Sequence, residues 1–172
     1  MCKPGVDSFR LFRRVGSFFS PQALLNRKIR DLGDGRASYS IPLRDGWEFR
    51  VDADGSTTPS DAIDGADGWQ PVQVPHTWQS LGRSPEHVGM ASYRLRFQAP
   101  ANWASQHVGI EFEAVNHTAH VFLNGRLVGE HVGKGYTAFT LDLSPQLKCG
   151  GENTLLVRGH NRRSNASSQQ ER

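Results

Sequence analysis

Cysteine is scarce in this chain, with only Cys2 and Cys149 in 172 residues. Cys2 lies at the extreme N-terminus, so no structural disulfide is expected, and the low count favours a reducing compartment, the cytoplasm. Long apolar runs are lacking too. No stretch approaches the roughly 20 residues that a membrane helix needs, which excludes a helical span. A secretory signal is not recognisable either. The most apolar early pieces, Phe9–Phe12 and Val15–Phe19, are broken by Arg13, Arg14, Gly16 and Ser17, which leaves no apolar region of about 7–15 residues. Helical periodicity is confined to a short candidate at Pro21–Arg30.

What the chain does contain points to β-structure. Eighteen glycines and nine prolines fall in short clusters, as in a β-rich protein with many turns. Apolar residues at 37% and charged residues at 22% fit an ordinary globular domain, and the length suits one. The net charge of +3 is unevenly spread. Residues 1–30 hold seven Lys or Arg against Asp7 alone, a net +6, so the other 142 residues carry −3. A basic head of this kind could touch nucleic acid or an anionic membrane. No aromatic-basic motif accompanies it, so neither partner is expected. Residues 1–35 are read as a basic, partly disordered extension. Their Arg-rich, acid-poor composition leaves open an organelle transit peptide or a translation start set too far upstream.

From about Ser40 the pattern has a period of two. Trp47, Phe49 and Val51 alternate with Glu48, Arg50 and Asp52, as on a strand with one buried face. Gly55–Gly68 reads as a loop, and Trp69–Pro75 as a short strand closed by proline. His76–Ala91 is a long irregular segment of the kind that is usually functional. Tyr93, Leu95 and Phe97 then alternate with Arg94, Arg96 and Gln98, and Val108, Ile110, Phe112 and Ala114 follow with Glu111 and Glu113 between them. Ala119–Gly133 contains Asn124-Gly125 between two apolar runs. That pairing is the strongest short-range hairpin signal, because both turn residues need positive φ. Phe139–Leu143 and Thr154–Arg158 complete about eight strands. The expectation is an all-β antiparallel sandwich, a jelly roll, over residues 36–161, with a polar tail at 162–172.

Two clusters invite chemistry and fail. Glu111 and Glu113 share a strand face about 6.6 Å apart at the backbone, near the roughly 5–5.5 Å carboxyl spacing of retaining glycosidases. They lie on the polar face with nothing nearby to raise one pKa, so no catalytic residue is assigned. His117 and His120, with His131, lack strand spacing for one face, and no Cys or carboxylate completes a ligand set, so no metal is expected. No phosphate loop, dinucleotide fingerprint or nucleophile elbow occurs, and no cofactor is expected.

The remaining motifs resemble, in order, the N-terminal sugar-binding domain of glycoside hydrolase family 2, the β-galactosidase and β-glucuronidase family. They are Arg44-Asp45-Gly46-Trp47-Glu48-Phe49, Val72–Trp78 (VQVPHTW), Ala91-Ser92-Tyr93-Arg94 and Phe112–Val115. The Asn-Gly hairpin with Gly129-Glu130-His131 comes next, then Gly135–Asp142 and Gly151-Glu152-Asn153-Thr154-Leu155 with Val157. The resemblance implies a galactose-binding-domain-like jelly roll belonging to a retaining exo-glycosidase. Its partners would be a terminal β-linked galactoside or glucuronide and a catalytic barrel, which holds the family's glutamates and has no counterpart in this sequence. It also implies a further loop and edge strand beyond the sequence, which would make this a fragment. The alternatives are a free-standing carbohydrate-binding module and a purely structural domain that docks a barrel.

By the same resemblance His76, Trp78 and Asn161 are the substrate-binding candidates. Sugar sites set an aromatic face against the ring and direct a few hydrogen bonds to hydroxyls. Each residue has a plainer alternative: core packing for Trp78, a hydrogen bond that pins the loop for His76, and a turn or cap for Asn161. Trp47 and Trp69 are assigned to the core.

Overall fold

The computed structural model describes residues 6–15, 28–31, 37–52, 55, 58–76, 89–115, 117–133, 135 and 137–161. They form β1 (Val6–Val15), β2 (Lys28–Asp31), β3 (Ala37–Pro42), β4 (Trp47–Asp52), α1 (Pro59–Asp64), β5 (Gln70–Val72), β6 (Gly89–Gln98), β7 (His107–Val115), β8 (Thr118–Leu123), β9 (Arg126–Val132), β10 (Phe139–Asp142) and β11 (Glu152–Asn161). One sheet has the order β10-β7-β1-β3-β2 and the other β5-β4-β6-β11-β8-β9. Every pairing is antiparallel. The fold is the all-β antiparallel sandwich expected from the alternating pattern.

The core comes from that alternation. Trp47 and Phe49 of β4, Ala91, Tyr93 and Leu95 of β6, Leu155 and Val157 of β11, and Val121 and Leu123 of β8 form one buried cluster with Val108, Ile110 and Phe112 of β7. Each large side chain buried there contributes about 1.5–3 kcal/mol of transfer free energy. The stacked rings of Phe112 and Phe139, with centres 4.6 Å apart, lock β7 to β10. Gly129 of β9 lies so near the other sheet that an added Cβ would come within 2.6 Å of Leu141 Cδ2.

Four readings of the sequence differ from the fold. The basic stretch set apart as an extension supplies β1 and β2, and β1 lies between β3 and β7 with Phe9 opposite Phe112 and Leu11 opposite Ile110. Its period-two signal was present, but the interspersed arginines outweighed it. The proposed helix at Pro21–Arg30 ends in a strand, since Lys28–Arg30 belong to β2; residues 21–27 and the tail at 162–172 lie outside the described residues.

The Gly55–Gly68 loop contains α1. Arg94 holds it, although its side chain is only 2% exposed. Its Nε donates to Glu48 Oε2 at 2.8 Å, and its Nη1 donates to the carbonyls of Ala62, Ile63 and Gly65 at 3.0, 3.1 and 2.7 Å. A guanidinium at these C-terminal carbonyls satisfies groups that a helix end leaves unpaired and complements its dipole. Trp69, assigned to the core, is half-buried instead, with Arg94 Cζ 4.1 Å and Arg50 Cζ 4.9 Å from its ring centre.

Candidate functional site

The VQVPH segment is tied to the connection between β3 and β4. The Val74 N–H donates to the Arg44 carbonyl at 3.0 Å, and Gln73 Nε2 donates to Asp45 Oδ1 at 2.6 Å. This turns His76 inward, where it is 7% exposed. Its ring centre lies 5.0 Å from Phe49 and 5.7 Å from Tyr93. Nδ1 sits 3.0 Å from the Tyr93 hydroxyl, while Nε2 is buried and meets no hydrogen-bond partner among the described residues. Burial disfavours the charged ring and lowers the His76 pKa from its usual value, so the imidazole is neutral at pH 7. Sequence reasoning did not single out Tyr93; its place in the alternating β6 pattern marked it only as core.

Asn161 is the last residue of β11 and pairs with Gly89, the first residue of β6. Trp78 lies outside the described residues. In chain order it falls between His76 and Gly89, so the backbone places His76 before that stretch and Asn161 beside the point where it ends.

The hairpin is built as its sequence requires. Asn124 has φ 52° and Gly125 φ 83°, the doubly positive turn that matches strand twist. The Asn124 side chain does more than permit the turn. Its Nδ2 donates to Gln146 O at 3.0 Å and to Asn153 Oδ1 at 2.9 Å, and its Oδ1 accepts the Thr154 N–H at 3.0 Å. Asn153 is fully buried; its Oδ1 also accepts the Lys148 N–H at 2.8 Å, and its Nδ2 donates to the carbonyls of Lys148 and Gly151 at 2.9 and 3.0 Å.

The rejected clusters lie elsewhere. Glu111 is half-buried opposite Arg10 and Thr140, and Glu113 is exposed. His120 Nε2 is 3.3 Å from Glu130 Oε2. His131 stacks on Phe139 at 4.1 Å and meets Thr137 Oγ1 at 3.1 Å. His117 takes φ 65° before β8. Among the described residues, no group of three or more His, Cys, Asp or Glu is placed to hold a metal ion, and no helix is long and apolar enough to cross a membrane.

Residues 46–168 match the family model described as "Glycosyl hydrolases family 2, sugar binding domain". A β-glucuronidase of Bacteroides fragilis is 30% identical over 125 residues, 70% of this chain and 16% of that protein. A β-galactosidase of Thermoanaerobacter pseudethanolicus is 39% identical over 90 residues, 50% of this chain and 12% of that protein. The chain thus spans less than a fifth of either relative. The structure of a Ruminococcus gnavus β-glucuronidase in complex with D-glucuronic acid superposes with a TM-score of 0.62 at 22% identity, covering 83% of this chain and 23% of that one. The sandwich, the motif order and the match over most of its length agree: this chain belongs to glycosyl hydrolase family 2, as its sugar-binding domain.

Proposed function

We propose that the chain forms one wall of the substrate pocket of a retaining exo-glycosidase that acts on terminal β-linked galactosides or glucuronides. His76, Trp78 and Asn161 contribute to that wall, and a catalytic barrel supplies the glutamates that cleave the bond. The observation that carries this reading is the pairing of Asn161 with Gly89, which sets one candidate beside the end of the stretch that holds another. The names of the relatives, β-glucuronidase and β-galactosidase, support the sugar class. By itself the chain binds sugar weakly and cleaves none.

Calorimetric titration with galactose and with glucuronic acid tests the reading. Binding that Asn161→Ala abolishes supports it, while absence of heat with both sugars counts against it. Chromogenic galactosides and glucuronides should remain uncleaved, and turnover lost in Glu111→Gln would overturn the non-catalytic assignment. The deep burial of His76 favours a second reading, in which the sandwich docks a barrel and touches no sugar. Unchanged kinetics of His76 and Asn161 variants in a full-length enzyme would select it.

A further inference from the structure

Burial, a single side-chain hydrogen bond and an unpartnered nitrogen meet at the His76 ring. Two strands press on the imidazole. The core faces of β4 and β6 present Trp47, Phe49 and Val51 and Ala91, Tyr93 and Leu95 to the sandwich interior. Among the described residues on those faces only Tyr93 brings a polar side-chain group to the ring, the hydroxyl beside Nδ1. The charged residues bonded to the segment before the ring, Arg44 and Asp45, are exposed. A neutral ring suits this setting, because the Tyr93 hydroxyl serves Nδ1 whichever of the two donates. A charged ring does not. Both nitrogens would then carry N–H groups, and Nε2 has no acceptor among the described residues and no contact with solvent. An uncompensated buried cation of this kind either loses its proton or leaves the core.

We propose that His76 is an acid-released latch. Below neutral pH, protonation expels the ring from between Phe49 and Tyr93, and residues 73–76 detach from the sheet while the rest of the sandwich stays folded. The segment is suited to this role. It is held by the Val74 N–H to Arg44 carbonyl bond, by the exposed Gln73–Asp45 bond and by a one-residue β-bridge at His76. The lowered His76 pKa points the same way. Each unit of lowering makes opening on protonation about tenfold more favourable.

The latch is tested on the full chain by amide exchange and by nitrogen shifts of the His76 imidazole between pH 7.5 and 4.5. The ring should titrate below the ordinary value of about 6.5. Exchange at the Val74 amide, corrected for its intrinsic pH dependence, should rise by about tenfold or more over that titration, while amides of β6 and β11 stay protected. His76→Gln and His76→Phe should abolish the rise in whichever of them folds. A His76 that titrates at its ordinary value, a Val74 amide insensitive to pH, or the same rise in both variants would each overturn the proposal.

Discussion

The side-chain amide of Asn124 donates to the side-chain carbonyl of Asn153 at 2.9 Å, across 29 residues of sequence. Through this bond the hairpin turn and the turn before β11 share one buried polar network. Asn153 has its oxygen and nitrogen fully engaged. Such a network stabilises only while every member is satisfied, because each buried group left alone costs about 1–3 kcal/mol.

Asn153→Ala should therefore destabilise the chain by about 2–4 kcal/mol, with Asn153→Asp no better, since a carboxylate cannot donate to the carbonyls of Lys148 and Gly151. Urea unfolding monitored by tryptophan fluorescence gives the number. A loss under about 0.5 kcal/mol, the scale of an ordinary surface change, would contradict the network's role.

Gly129→Ala should cost about 1–3 kcal/mol, because its Cβ would overlap Leu141. The clash is with a side chain, so it should be relieved from the other sheet. In Gly129→Ala with Leu141→Val the two losses should fall short of their sum. Strict additivity would show that the two sheets do not meet there.

Arg94→Met should loosen α1 selectively. It removes the Nη1 donor to three carbonyls, of which Ile63 keeps Arg96 Nη2 at 3.3 Å, and leaves Glu48 with its longer contact to Arg96, also at 3.3 Å. A loss of about 1–3 kcal/mol is expected, the cost of partly buried carbonyls left without their donor. Exchange at the amides of α1 should rise before that of β11, and equal rises would argue against a clamp.

Stability should fall in two separate acid steps. His76 holds its proton less tightly when folded, so its contribution is complete above pH about 6.5. Below that the unfolded chain takes up the proton first, and stability declines until the folded ring is charged too. Burial pushes the Asp142 carboxyl up, but the Ser144 hydroxyl and N–H, with His107, outweigh it and hold the pKa below its usual value. Its contribution is present above pH about 4 and is lost as the pH falls through the lowered value. Unfolding midpoints from pH 8 to 3 should show His76→Gln removing the first step alone.

Much of the sandwich could be read from period-two strings such as Trp47-Phe49-Val51 and Val108-Ile110-Phe112, because one apolar face per strand is what a two-layer fold requires. Asn124-Gly125 marked its turn for the same local reason. β1 was missed because its arginines imitate a solvated head, and only the distant partner β7 stabilises it as a strand. The Arg94 clamp and the His76–Tyr93 contact could not be read at all, since neither burial nor a hydrogen bond across 17 residues leaves a local signature. Of the three sugar candidates, sequence order placed Asn161 beside the end of the Trp78 stretch only once the β6–β11 register was known.

That register also has a meaning in time. β11 lies in the middle of its sheet, between β6 and β8, yet it is the last of the described strands to be made. On the ribosome the β8–β9 hairpin can close as soon as residue 132 emerges, because its turn is local. The six-stranded sheet cannot, since β6 and β8 reach each other only through β11. Until then both present open edges to their surroundings, the circumstance in which nascent β-proteins aggregate or recruit chaperones. Assembly of the six-stranded sheet is thus gated by β11, and a pause in translation before Glu152 would prolong its most vulnerable state.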